Sequence, residues 1–391
     1  MGGALGAAGC TSHDQPTEPS DAGYAAIMDA DGADELDADD DQSAEPPCEE
    51  PEAGLPDNVF CTGLYLKQDS TKYASTAVSY KPGVTLWSDG AEKSRYLYLP
   101  PGAQIDTTDM DAWKFPVGTK AWKEFRFDGA LVETRLFWKR NETTWESGTY
   151  IWDSGGKTAQ LNGARKGVIL ASGYEIPTAR DCGKCHHGGS DQLLGIEAVA
   201  LALPTTEGVT LKRLVTEGRL SHPPSETAIR LPEDSTGKAG LALGYLHANC
   251  GMPCHSSRGL GEETQLVLRL RAGEFWPSTS PDGGATMLPT PVTMTDIYRA
   301  TANQESTTAS VASAFPNAKR LTPGSHELSL LWLLSHVRGN YQMPPLVSHR
   351  VDEVNTQALA DWIDALSVSD AGAQTMSNAR DAGQDSGRSS P

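Results

Sequence analysis

Residues 120–140, KAWKEFRFDGALVETRLFWKR, decide the fold of the N-terminal half. Two runs of alternating hydrophobicity flank Asp128-Gly129, and such a pair between alternating runs signals a β-hairpin, because both residues tolerate the backbone of a tight turn. Working outward, SRYLYLP (94–100) sets Tyr96 and Tyr98 against Leu97 and Leu99, and TTWESGTYIWD (143–153) supplies a further strand. The expectation is a mostly antiparallel sheet of half-buried strands from about 60 to 175. Six of the nine Trp fall between Trp87 and Trp152. Aromatic side chains in strands form core more often than sugar-binding surfaces. Cys48 and Cys61 flank the start of this region, close enough in sequence to shut a short disulfide loop in an oxidising compartment.

The 391 residues suffice for two domains with tails, at about 150 residues per domain. The net charge of −19 is unevenly spread: residues 1–52 hold fifteen Asp or Glu and no Lys or Arg, leaving the remainder nearly balanced at −4. DGADELDADDDQSAEPPCEEPEAG (31–54) has too little apolar surface to offset its chain entropy, so residues 1–55 read as a disordered acidic tether. Such acidity argues against nucleic acid as a partner. No stretch has the apolar length of a membrane helix. MGGALGAAGC (1–10) resembles the cleavage site of bacterial lipoproteins, in which Cys10 would carry lipid. The missing basic segment, the short apolar run and Ala7 count against it.

After 205 the texture changes to helical runs separated by Pro and Gly, with a loop excursion expected over 272–323. KAGLALGYLHAN (238–249) puts Leu241, Tyr245 and Ala248 on one helical face. DEVNTQALADWIDAL (352–366) puts Leu359, Trp362, Ile363 and Leu366 on another. Residues 368–391 return to Ser, Asp, Gly and Ala and read as a disordered tail.

Four of the seven cysteines form two clusters, Cys182 and Cys185 followed by His186, and Cys250 and Cys254 followed by His255. Cys-x-x-Cys-His is the attachment signature of c-type haem. Two thiols a turn apart add to the porphyrin's vinyl groups, and the imidazole that follows coordinates iron from beneath. Zinc ribbons favour shorter separations than the 64 residues between Cys185 and Cys250, and need no His after each pair. A thioredoxin-like pair would follow a βαβ strand, and neither cluster does. CGMPCH (250–255) carries three intervening residues, one more than the signature. YQMPPLVSHR (341–350) offers Met343 in a loop that Pro344 and Pro345 keep from becoming helix.

PGSHELSLLWLLSHVRGNYQMPPLVSHRVDEVNTQALADWIDAL (323–366) resembles the C-terminal half of a mono-haem cytochrome c domain. That resemblance implies His255 and Met343 as the two axial ligands of the second iron, with Met287 a weaker substitute. YKPGVTLWSDGAEKSRYLYLP (80–100), WKFPVGTKAWKEF (113–125), LVETRLFW (131–138), YEIPTARDCGKCH (174–186) and YLHANC (245–250) resemble a family of bacterial di-haem c-type cytochromes. The resemblance covers about four fifths of the chain. The wider spacing at Cys250 departs from the family's usual pattern. An α+β architecture follows: a β-rich domain over 56–205 with the first haem, then an all-α cytochrome c-like domain over 206–367 with the second.

The sixth ligand of the first iron is not named by any motif. His187 is too close to His186 to reach the opposite face. His222 is the residue chosen, over His247, His326, His336 and His349. Two covalently held haems suggest electron transfer with redox partner proteins or a membrane chain, in the periplasm or tethered facing it. A haem-dependent oxidoreductase or peroxidase-like enzyme is the alternative, as is a glycan- or partner-binding module with an accessory haem domain. No acid-base pair stands out as catalytic, and oligomeric state is not legible.

Overall fold

The computed structural model describes residues 48, 50–163, 167–186, 191–257, 259–276 and 290–367. Cys10, His187, Met287 and the C-terminal tail lie outside them. Ten strands come first: β1 (Tyr65–Leu66), β2 (Asp69–Tyr73), β3 (Val78–Ser79), β4 (Glu92–Tyr98), β5 (Lys120–Phe127), β6 (Ala130–Lys139), β7 (Trp145–Trp152), β8 (Ala159–Leu161), β9 (Val168–Ile169) and β10 (Glu175–Ile176). Helices follow: α1 (Ala179–His186), α2 (Ala198–Ala202), α3 (Leu211–Thr216), α4 (Ala239–Leu246), α5 (Asp296–Thr301), α6 (Ala309–Ala314), α7 (Leu330–His336) and α8 (Glu353–Ala365). The fold is mixed α+β, and every strand among the described residues precedes residue 177.

β3 to β8 form one antiparallel sheet in sequence order. The β5–β6 turn lies where Asp128-Gly129 predicts it, with φ of 50° and 80°, both in the left-handed region that this turn requires. The strands are not half-buried, however: both faces are covered. Tyr96, Trp122, Leu136, Trp138, Tyr150 and Trp152 pack under the segment containing Phe60 and Tyr65. At the centre of that face, the hydroxyls of Tyr65, Tyr73 and Tyr96 donate to the Glu124 carboxylate at 2.5, 3.0 and 3.4 Å. Of the six clustered Trp, all but Trp87 are buried, so this aromatic concentration is core.

Cys48 and Cys61 are joined by a disulfide spanning 13 residues, a closure of the kind that stabilises by about 3 kcal/mol. Arg140 donates to the carbonyls of Pro51 and Glu52 at 2.5 and 3.1 Å. The described end of the tether, residues 48 and 50–55, is therefore fastened to the sheet instead of disordered.

The opposite sheet face contributes Leu97, Ala121 and Phe137 to an apolar cluster that also holds Leu243, Leu359, Trp362 and Ile363. α8 is capped by the Asp352 carboxylate and buries the four residues that its periodicity predicts. α4 differs from expectation: Leu241 is 73% exposed, whereas Tyr245 and Ala248 are buried along with Ala242 and Leu243. The helix is apolar on nearly every side, which leaves its orientation to tertiary packing. Within 272–323, α5 and α6 stand where an irregular loop was expected. Residues on either side of 205 share one apolar cluster, and the backbones of Lys81 and Glu207 exchange reciprocal hydrogen bonds of 3.0 Å. No helix among the described residues is long and apolar enough to cross a membrane.

Candidate functional site

α1 opens on Thr178, whose hydroxyl accepts from the Asp181 N–H at 3.2 Å and donates to its carboxylate at 2.7 Å. Helical spacing then puts Cys182, Cys185 and His186 on one face. The His186 ring stacks on Phe137 of β6, centroids 4.3 Å apart, and its Nδ1 pairs with the Gln192 carbonyl. A carbonyl on one nitrogen is how a metal-binding imidazole is usually oriented for coordination through the other. The segment beyond is pinned by Asp191, which accepts from Lys139 Nζ at 2.7 Å, from Trp145 Nε1 at 2.6 Å and from the Phe115 N–H at 2.6 Å.

The second cluster sits where α4 runs into a π turn, His247–Gly251. The His255 N–H bonds the Cys250 carbonyl at 2.8 Å, five residues back, and the Met252 N–H bonds that of His247 likewise. This wider winding takes up the additional residue of CGMPCH. π turns of this sort concentrate at functional sites. His255 Nδ1 lies 3.3 Å from Thr264 Oγ1, which in turn donates to the Gly261 carbonyl at 2.6 Å. Burial and the nearby Arg320 guanidinium push the His255 pKa down to about 4, so the imidazole is neutral, the form in which it coordinates a metal.

Two adjoining cavities, of about 120 and 340 Å³, join these elements. Cys250 lines the smaller and Cys182, Cys185 and His186 the larger, while Cys254, His255, Met343 and Trp87 line both. The two thiol pairs, the His after each and Met343 thus line two cavities that share part of their walls. The thiols of Cys185 and Cys254 lie close enough to shift each other's titration. Their interaction lowers the Cys185 pKa to about 7 and, with burial, raises that of Cys254. Burial alone pushes Cys250 up to about 12.

Native proteins rarely leave buried polar atoms unpaired. Trp87 Nε1, Arg95 Nε, Arg338 Nε and Ser348 Oγ are buried without a hydrogen-bond partner, and all four residues line these cavities. No protein-family model, curated protein or solved structure matches this chain.

The structure does not bring His222 to the site. Its ring is exposed, 3.0 Å from Ser221 Oγ, and lines neither cavity. His247 is committed on both nitrogens, with Nε2 3.3 Å from Glu197 Oε1 and Nδ1 accepting from the Leu270 N–H at 3.0 Å. His326 pairs with Asp364, His349 with Glu175, and the His336 ring stacks on Trp332. Sequence reasoning also passed over Lys93, Arg95, Lys123 and Arg135, which line the larger cavity. The signal was present: Arg95 alternates in phase with Leu97, and Lys123 with Ala121 and Phe125, so each charge falls on an apolar face.

Proposed function

We propose that this chain is an exported di-haem c-type cytochrome that carries electrons. One haem is bonded through Cys182 and Cys185 with His186 as ligand. The other is bonded through Cys250 and Cys254 with His255 and Met343 as ligands. The observation that carries the reading is convergence, since two motifs 64 residues apart in sequence line adjoining cavities that share Cys254, His255 and Met343. Neither a zinc ribbon nor a solitary redox pair gives a reason for an imidazole behind each thiol pair. The residues present also fit the group. They provide a neutral His255, a Met343 thioether sharing its cavity, apolar walls from Leu266, Leu331 and Leu334, and unpaired polar atoms at the margins.

When bound, haems supply one-electron chemistry, and His/Met ligation in a dry pocket raises the potential. The chain's own residues hold both imidazoles in orientation and surround the second site with mostly apolar side chains. The order of α4, π turn, Met343 loop and α8 supports a cytochrome c-like reading of 206–367, within the di-haem family that the sequence resembles. The Cys48–Cys61 disulfide supports an oxidising compartment. Attachment of this kind is made outside the cytoplasm, which points to the periplasm, with redox proteins or a membrane chain as partners.

A second reading, a haem oxidoreductase with an open position at the first iron, draws on one observation. Among the described histidines, only His186 and His255 line the cavities. A high-spin first haem that reacts with carbon monoxide or peroxide would favour it. The primary test is expression with a haem-attachment system, followed by intact mass and a pyridine haemochrome spectrum. The mass of two haems is expected, falling to one in the Cys182→Ala, Cys185→Ala double variant. Colourless material, or protein carrying zinc, overturns the reading.

A further inference from the structure

The sheet face toward the larger cavity carries charges that the thiol motifs do not use. Arg95, Lys123 and Arg135 are direct cross-strand partners on β4, β5 and β6. Like charges set opposite one another destabilise a sheet, and burying them without counter-charge costs more. Arg95 is 5% exposed and Lys123 9%. Arg135 is answered by Glu133, which accepts from its Nη2 and Nε at 2.5 and 2.8 Å and from the Tyr174 hydroxyl at 2.6 Å. Lys93, on the same face, donates to the carbonyls of Leu86 and Trp87 at 2.6 and 3.1 Å. Arg95 and Lys123 have no such answer: among the described residues no group accepts a hydrogen bond from either side chain, and Arg95 Nε is fully enclosed. Burial, then Arg95 and Arg135, pushes the Lys123 pKa down to about 7, while the charges of Cys182 and Cys185 act on it in the opposite sense. The carboxylates that share this wall are already engaged, Asp89 by the His349 and Arg350 N–H groups, Asp181 by Thr178 and Lys184, and Glu175 by His349.

We propose that Arg95 and Lys123 form a binding site for a diffusible carboxylic acid that enters the larger cavity beside the first thiol pair. A guanidinium fork beside an ammonium point charge suits a planar carboxylate, and charge-assisted bonds of this kind are the strong ones.

The test uses succinate as probe and the full chain with Cys182→Ala and Cys185→Ala, which loses the first haem and keeps the second. Calorimetry should show succinate binding that Arg95→Met or Lys123→Met weakens by about tenfold or more. The same calorimetry on the fully loaded protein, with Arg95→Met and Lys123→Met made there, should show the same weakening and keeps the proposal testable where the double alanine variant fails to fold. The proposal is overturned when neither form binds succinate through these residues. A chain that takes up no haem yet binds succinate through Arg95 and Lys123 would end the di-haem reading and leave this site standing.

Discussion

Met343 shares a cavity wall with His255 while its backbone N–H is anchored 2.7 Å from the Leu334 carbonyl. On the di-haem proposal, replacing its thioether removes a ligand without disturbing the thiols. Met343→Ala is expected to keep both haems attached and to lose any methionine-to-iron charge-transfer band, checked by near-infrared absorption; a retained band would reject the assignment. Glu197 illustrates a buried charge used for structure. Burial raises its pKa, but the bond to His247 and the Ala200 N–H outweigh it and hold the carboxyl below its ordinary 4.5. It also accepts from the N–H groups of Val199 and Ala200 at 2.7 and 2.6 Å, capping α2. Because the folded-state pKa is depressed, this stabilisation is full above pH 4.5 and lost as pH falls through the folded value. Glu197→Gln should cost about 1–3 kcal/mol at pH 7, with the gap from wild type closing below pH 4.5 in urea titrations.

Among the elements, the π turn and the loop after it set the second site. A Cβ on Gly261 would lie 2.6 Å from His255 Nδ1, and one on Gly251 2.2 Å from the Leu268 carbonyl oxygen. Gly261→Ala should therefore displace the His255 ring and abolish the second site's His/Met spectrum while leaving the first haem's attachment unchanged, as read by intact mass and absorption. The β5–β6 hairpin was legible because turn chemistry and alternation agree over twenty residues. α5 and α6 were not, since Ser and Thr favour turns locally and only packing of Ile297 and Tyr298 into the core commits α5 to helix. Leu241 was misplaced for a related reason: where a helix is apolar all round, periodicity cannot choose the buried side.

Across the whole molecule, spacing pointed to the two thiol clusters with their histidines and resemblance pointed to Met343, but that all seven line adjoining cavities was not legible. It depends on contacts between chain segments far apart, such as the Trp87 N–H to Asn249 Oδ1 at 2.6 Å and Asn249 Nδ2 to the Thr85 carbonyl at 3.0 Å. The cationic row has the same origin, since only strand register puts Arg95 beside Lys123. Because a single apolar cluster joins sheet and helices across residue 205, a fragment of residues 206–367 should unfold without cooperativity. Circular dichroism melting of that fragment checks this, and a sharp transition would mean that it is an independent domain.

The sulfur contact between Cys185 and Cys254 bears on biogenesis. On the di-haem proposal each belongs to a different attachment site, so an oxidant that linked them would occupy one thiol of both and leave neither able to receive its porphyrin. On that proposal a newly exported chain would have to fold its Cys48–Cys61 clasp under oxidising conditions while these two sulfurs stay reduced, which would make the timing of thiol protection as decisive for a working protein as the sequence of either motif.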